Sequence, residues 1–343
     1  MKLTYTIKNS LSSIANSVKF ITTKLPVKVI VASALFIGVT GGMVIDSIVL
    51  TAPSYAKTVS STKVSKAKKR VTAKKRVIAK KPVQAQSEVK FKDAKLEAAI
   101  RRQLDIGDKP FTLNVLQGVK VLNLGEAEIT SLEGIQALRN VNTLNLCINK
   151  INDVKPLASL TKLSDLILCG NPISDLKPLA GLTNLTKLDL RNNPISDVKP
   201  IAGLRLLTSL SLESNEISDV KPLAGLRLLT MLGLYNNEIS NVQPLRGLTK
   251  LTELNLRNNK ISDVKPLTGL TKLTTLNLSE NKISDVKPLA NLTKLTYLDL
   301  SFNPISDVES LVALTKITEL LLDCNQISNS QALPEKFRSA CSQ

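Results

Sequence analysis

Histidine is absent from all 343 residues. That removes the commonest general base and the commonest metal ligand, and with them Ser-His-Asp and Cys-His catalysis. Tryptophan is absent too, and aromatic residues are 3% of the chain. Acidic residues are scarce over the first 90 positions: 17 Lys/Arg stand there against 2 Asp/Glu, while residues 91–343 carry 29 against 26. The net charge of +18 therefore belongs to the N-terminal segment, and the remainder is nearly balanced. Such an asymmetry reads as a basic tail with an anionic partner rather than a basic binding domain. No metal, cofactor or enzymatic activity is expected.

The longest apolar run, Val29–Ile45, is short for a membrane span. With Ser54 and Ala56 before a cleavage point, residues 1–56 read as an export signal, which implies a secreted, periplasmic or cell-envelope protein. The alternative is an uncleaved anchor using residues 29–50. Residues 57–90 form a Lys/Ala-rich linker. Its hexapeptides begin at Ala67, Ala73 and Ala79 and carry Lys68, Lys69, Arg70, Lys74, Lys75, Arg76, Lys80 and Lys81. Like-charged sequence without aromatics cannot bury enough apolar surface to fold. The linker reads equally as a solubilising spacer or as an attachment to anionic lipid, wall polymer or polysaccharide, with nucleic acid not excluded.

From Leu122 to Asn325 a 22-residue unit recurs ten times without insertion or deletion. It reads L-x-L-x-x-N-x-I-S-D-V-K-P-L-A-G-L-T-x-L-T-x. A fixed short period means a solenoid. Leu166 and Leu168, two apart, share the inward face of a short strand, and Asp165, Ile167 and Cys169 alternate outward. Asn171 falls at the bend, where its amide can satisfy buried backbone groups. Ser174, Asp175 and Pro178 predict a one-turn 3₁₀ segment on the return limb, with Leu176, Leu179 and Leu182 inward and Gly181 easing the bend. Residues 91–118 predict a helical cap: Asp93 caps a helix with Leu96, Ile100 and Leu104 inward and Gly107 at its end. Thr112 caps a second turn burying Val115 and Leu116. Repeats occupy 119–333, and 334–343 close the other end.

This pattern resembles the leucine-rich repeats, in the 22-residue class of bacterial internalins and of the eukaryotic phosphatase-1 regulatory subunit. Ile261–Leu273 and Ile283–Leu295 carry the motif almost verbatim. Ala127 at the first ladder position and Glu133-Gly134 in place of Lys-Pro depart from it. The resemblance implies an α/β solenoid: a horseshoe with a parallel β-sheet on the concave face, 3₁₀ turns on the convex face and an N-terminal helical cap. It also implies that variable outward strand positions bind a protein partner while the framework is structural.

Those positions hold a charged group, Asp165, Lys187, Asp189, Arg191 and Glu213, and an aromatic and apolar group, Met231, Tyr235, Tyr297 and Phe302, with Glu253, Arg257 and Asp299 between. The ladders of Asp153, Asp175 and Asp197 beside Lys155, Lys177 and Lys199 read as turn chemistry rather than a metal site. Cys147 and Cys169, in one column of adjacent repeats, are either free thiols or a disulfide, and the same choice applies to Cys324 and Cys341. The expectation is a monomeric, exported protein that binds through its concave face. Alternatives are an envelope-attachment protein whose linker binds, or an intracellular scaffold similar to the phosphatase regulator.

Overall fold

The computed structural model describes residues 88–323, 327–333 and 335–338. The signal, the linker hexapeptides, Cys324, Cys341 and Asn325 lie outside the described residues. Among these, one ten-stranded sheet runs in sequence order. Its strands are β1 (Val121–Asn123), β2 (Thr143–Asn145), β3 (Asp165–Ile167), β4 (Lys187–Asp189), β5 (Ser209–Ser211), β6 (Met231–Gly233), β7 (Glu253–Asn255), β8 (Thr275–Asn277), β9 (Tyr297–Asp299) and β10 (Glu319–Leu321). Every pair is parallel and offset by 22 residues, as in Leu166↔Leu188 and Leu188↔Leu210. The period of the sequence is thus the register of the sheet.

Three residues per strand make too few ladder bonds to hold a sheet by themselves. The leucines supply the rest. Leu166, Leu168, Leu176, Leu179 and Leu182 are all buried, as are their equivalents in every repeat up to Leu314. Fully burying one such side chain is worth about 1.5–3 kcal/mol. The return limbs are 3₁₀ turns such as Lys177–Leu179, with Pro in the first turn. The carboxylate of Asp175 accepts from the Lys177 N–H at 2.9 Å, and Asp153, Asp197, Asp219, Asp263 and Asp285 repeat the bond. The aspartate ladder is therefore backbone capping, as its turn chemistry implied. Gly181 is not needed for the bend: a Cβ there would meet open space.

Buried at each bend is one asparagine. The Asn193 amide donates to the carbonyls of Leu190 (3.0 Å) and Arg191 (3.1 Å) in its own repeat and Leu168 (3.1 Å) in the preceding one. Its oxygen accepts from the Ile173 N–H at 3.1 Å. The same set recurs at Asn171, Asn215, Asn237, Asn259, Asn281 and Asn303. The residue just before it adopts a left-handed backbone in nearly every repeat: Ile148, Gly170, Asn192, Ser214, Asn236, Asn258, Glu280 and Phe302 all have φ between 50° and 64°. For Ile148 and Phe302 that conformation costs about 1–2 kcal/mol.

Helix α1 (Ala94–Leu104) begins at Asp93, whose carboxylate accepts from Lys95 and Leu96 N–H groups. Its second oxygen reaches the first repeat, accepting from the Thr130 N–H and hydroxyl at 2.7 Å and from the Ser131 N–H at 3.0 Å. Burial pushes the Asp93 carboxyl up, but the Thr130, Ser131 and Leu96 donors outweigh it and hold it well below the usual carboxylate range. The helix ends at left-handed Asp105, two residues before the expected Gly107. Leu96 and Ile100 are buried and Leu104 only partly. In α2 (Leu113–Gln117) Thr112 caps and Leu116 is buried, but Val115 faces solvent, because a single helical turn offers only one inward position.

The Glu133-Gly134 departure now has a reason. Gly134 sits at φ 104°, and a Cβ there would lie 2.6 Å from the Lys90 carbonyl and 2.8 Å from the Phe91 ring. The missing side chain lets the capping segment close on the first repeat. At the far end a 3₁₀ turn (Ser330–Ala332) leads into α3 (Glu335–Arg338).

Replacing Asn237 by Ala would leave several buried backbone groups without partners. The expected loss is about 2–4 kcal/mol in a denaturant melt, against under about 0.5 kcal/mol for Glu238→Ala on the exposed flank. Equal effects would remove the ladder from its structural role.

Candidate functional site

Each strand presents its middle leucine to the core and its two flanking residues outward. One row therefore runs Asp165, Lys187, Ser209, Met231, Glu253, Thr275, Tyr297, Glu319, and a second runs Ile167, Asp189, Ser211, Gly233, Asn255, Asn277, Asp299, Leu321. The residues of the third row, among them Arg191, Glu213, Tyr235 and Arg257, lie beyond the strand ends.

The charged group comes together. The Arg191 guanidinium holds both oxygens of Asp189 at 2.7–3.1 Å, so the two neutralise one another within a single repeat. Asp165 lies opposite Lys187 in the register, and among the described residues Lys187 closes no ion pair. Burial and the Asp189 charge push the Asp165 carboxyl up, with Lys187 opposing.

Glu213 is the unusual member. Its Oε2 is shut off from solvent and has no hydrogen-bond partner. The reason lies one repeat on. A Cβ on Gly233 would fall 1.9 Å from the Glu213 Oε1, so the carboxyl lies in the space left by the missing side chain. Burial pushes Glu213 up and Asp189 adds to it, while Arg191 opposes. The sequence shows Gly233 as the one glycine in its row, but not that the neighbouring glutamate folds into the gap.

The aromatic group does not form one cluster. Tyr235 follows β6 and Tyr297 lies in β9, three strands or about 14 Å away at ordinary strand spacing. Two groups result. In the first, Arg257 stands 5.4 Å over the Tyr235 ring and binds Glu280 at 2.6 Å, while the Ser209 hydroxyl approaches the Met231 sulfur at 3.6 Å. In the second, Tyr297 is half-buried, Phe302 is 67% exposed and Leu321 is 39% exposed. The Phe302 N–H donates to the Asp323 carboxylate. Burial, then Asp299 and Glu319, push the Tyr297 hydroxyl up. The left-handed backbone that turns Phe302 outward left no mark at that residue in the sequence.

Cys147 and Cys169 are bonded, with Cα atoms 4.5 Å apart. Both lie past the strand ends, which stop at Asn145 and Ile167. Among the described residues no group of three or more Cys, Asp or Glu is placed to hold a metal ion, and no helix is long and apolar enough to cross a membrane.

A family model described as leucine-rich repeats in two copies matches residues 161–203, 227–269, 249–291 and 293–335, and a leucine-rich-repeat model matches 183–239. Among curated protein sequences none matches. Internalin C2 of Listeria monocytogenes is similar in structure, with 40% identity over 62% of this chain and 94% of that one, TM-score 0.60. Internalin F of the same organism has 33% identity over 68% of this chain and 82% of that one, TM-score 0.54. The ectodomain of the Arabidopsis thaliana receptor kinase GASSHO1/SCHENGEN3, solved in complex with Casparian strip integrity factor 2, has 26% identity over 57% of this chain and 25% of that one, TM-score 0.53.

The Glu213 environment has a signed consequence. A carboxyl raised above its unfolded value contributes stability that is complete below the unfolded value and is lost as pH rises through the folded one. Glu213→Gln removes that loss. At pH 7 the variant is expected to melt at least as high as the parent, with any advantage gone below about pH 4, near the ordinary glutamate value. A variant less stable at pH 7 than at pH 4, relative to the parent, would contradict the assignment.

Proposed function

Because the chain belongs to the leucine-rich-repeat family in its internalin-like form, we propose that it is a non-enzymatic, exported binding protein that takes a protein partner on the concave face of its sheet. The observation that carries this reading is the contrast between framework and face. Leucines, ladder asparagines and capping aspartates repeat with little change, whereas the outward rows differ from strand to strand. Buried scaffold positions answer to packing alone, so the exposed face of the sheet, whose residues vary from strand to strand, is where recognition can reside. That face also holds Tyr235, Tyr297 and Phe302, three of the chain's ten aromatic residues, and exposed aromatics are enriched among residues that dominate binding energy. The plant ectodomain, a repeat of the same kind, was solved with a partner bound.

Binding energy would then concentrate in the two aromatic groups. The charge pairs would set orientation, since exposed pairs contribute about 0–1 kcal/mol each. Export by the segment ending at Ala56 and attachment of Lys68–Lys81 to an anionic surface complete the proposal, supported by the apolar run and the +15 of residues 1–90.

Two measurements test it. Tyr235→Ala and Tyr297→Ala are each expected to weaken capture of the native partner, recovered by cross-linking in the compartment of origin, by about tenfold, with the melting temperature unchanged. Retained affinity in both would move the site off this face. N-terminal sequencing of the protein from its source is expected to begin at Lys57; an intact Met1 would exclude the cleaved signal.

A further inference from the structure

We infer that the segment received by the C-terminal half of the concave face is basic, with Lys or Arg side chains laid across the Tyr297 ring beside Glu319. The inference rests on the concave-face reading and adds the chemistry of the partner. Over β7–β10 the outward rows carry Glu253, Asp299 and Glu319. The one cation among them, Arg257, is already bound by Glu280 from outside the rows and stacked against Tyr235. This half of the face is thus acidic on a molecule whose net charge is +18. In the N-terminal half, by contrast, Asp189 is neutralised by Arg191 and Asp165 faces Lys187.

The apolar component makes this more than a row of carboxylates. Tyr297 pairs with Glu319 across the ladder and stands two residues from Asp299, and both charges push its hydroxyl up against the opposing charge of Arg257. Phe302 and Leu321 expose apolar surface on the same side. Asp299 is buried, its oxygens accepting from the Ser301 N–H at 3.0 Å and the Asn277 amide at 3.1 Å, so it acts on this surface through its charge and not by contact. Glu319 and Glu253 are exposed and engage no ion pair among the described residues. An aromatic face flanked by carboxylates attracts a guanidinium or ammonium through the ring and through charge together, while the aliphatic stem of Lys or Arg covers the apolar surface. A neutral or acidic segment would leave Glu253 and Glu319 without a counter-charge.

The test uses the full chain with a fluorescein-labelled dodecapeptide of alternating arginine and serine, and the same peptide with uncharged glutamine for arginine, in about 50 mM salt where charge is weakly screened. The whole molecule repels a polycation, so binding of the arginine peptide reports local attraction. Its affinity is expected to exceed that of the glutamine peptide. Glu253→Gln with Glu319→Gln together, and Tyr297→Ala alone, should each lower it about fivefold or more, while Glu238→Gln on the flank leaves it unchanged. Equal or tighter binding of the glutamine peptide, affinities within about twofold across the variants, or a dimer of the chain covering this face would overturn the inference. The two readings separate on the native partner. Loss of capture with Tyr297→Ala but not with the paired glutamate changes keeps the concave-face reading and removes the basic segment. Retention in all of these and in Tyr235→Ala removes both.

Discussion

From Asn149 to Asn303 each bend closes over backbone groups that cannot reach water, and the buried asparagine amide is what satisfies them. Asn193 spends its donors on Leu190, Arg191 and Leu168 and its acceptor on Ile173, so one side chain serves two consecutive repeats. Its reach fixes how far apart repeats stand and in which register they pair. The three-residue strands, the 3₁₀ turns and the leucine core all follow from meeting that geometry at each step. The first ladder position holds Ala127, whose own N–H is taken by Asn149 at 3.2 Å, so the terminal repeat borrows from its neighbour.

A scaffold satisfied internally frees its outer face. Because leucines fill the interior and asparagines complete the bends, side chains on the outward rows carry almost no structural duty. They can differ from strand to strand without disturbing register. Gly233 shows the limit of that freedom: the missing side chain lets Glu213 fold into the gap, where its Oε2 has lost water and gained no donor. Neighbouring rows are close enough that a change at one position rearranges the next.

The fold was legible because its cause is repeated. Leu166, Leu168, Asn171, Asp175 and Pro178 each have a local chemical reason to stand where they do, and their recurrence along the chain reinforces each reason. The capping helix was legible from Asp93 and its spaced apolar residues. What escaped was set by neighbours distant in sequence or by backbone shape alone. The left-handed column is visible at Gly170 and Asn192 but hidden at Ile148 and Phe302. The separation of Tyr235 from Tyr297 follows from counting strands rather than from their common exposure. Gly134 looked like a departure from the repeat, and became intelligible only when Phe91 was found against it.

The bond between Cys147 and Cys169 joins two consecutive turns of a chain whose repeats touch only their immediate neighbours. In such an array, unfolding spreads by parting one repeat from the next, much as a spring is pulled open coil by coil. A covalent stitch between the second and third coils forbids one of those partings. Coils beyond it remain free to separate and re-form. Fraying that starts at the far end is thereby stopped at Cys169, short of the capped end.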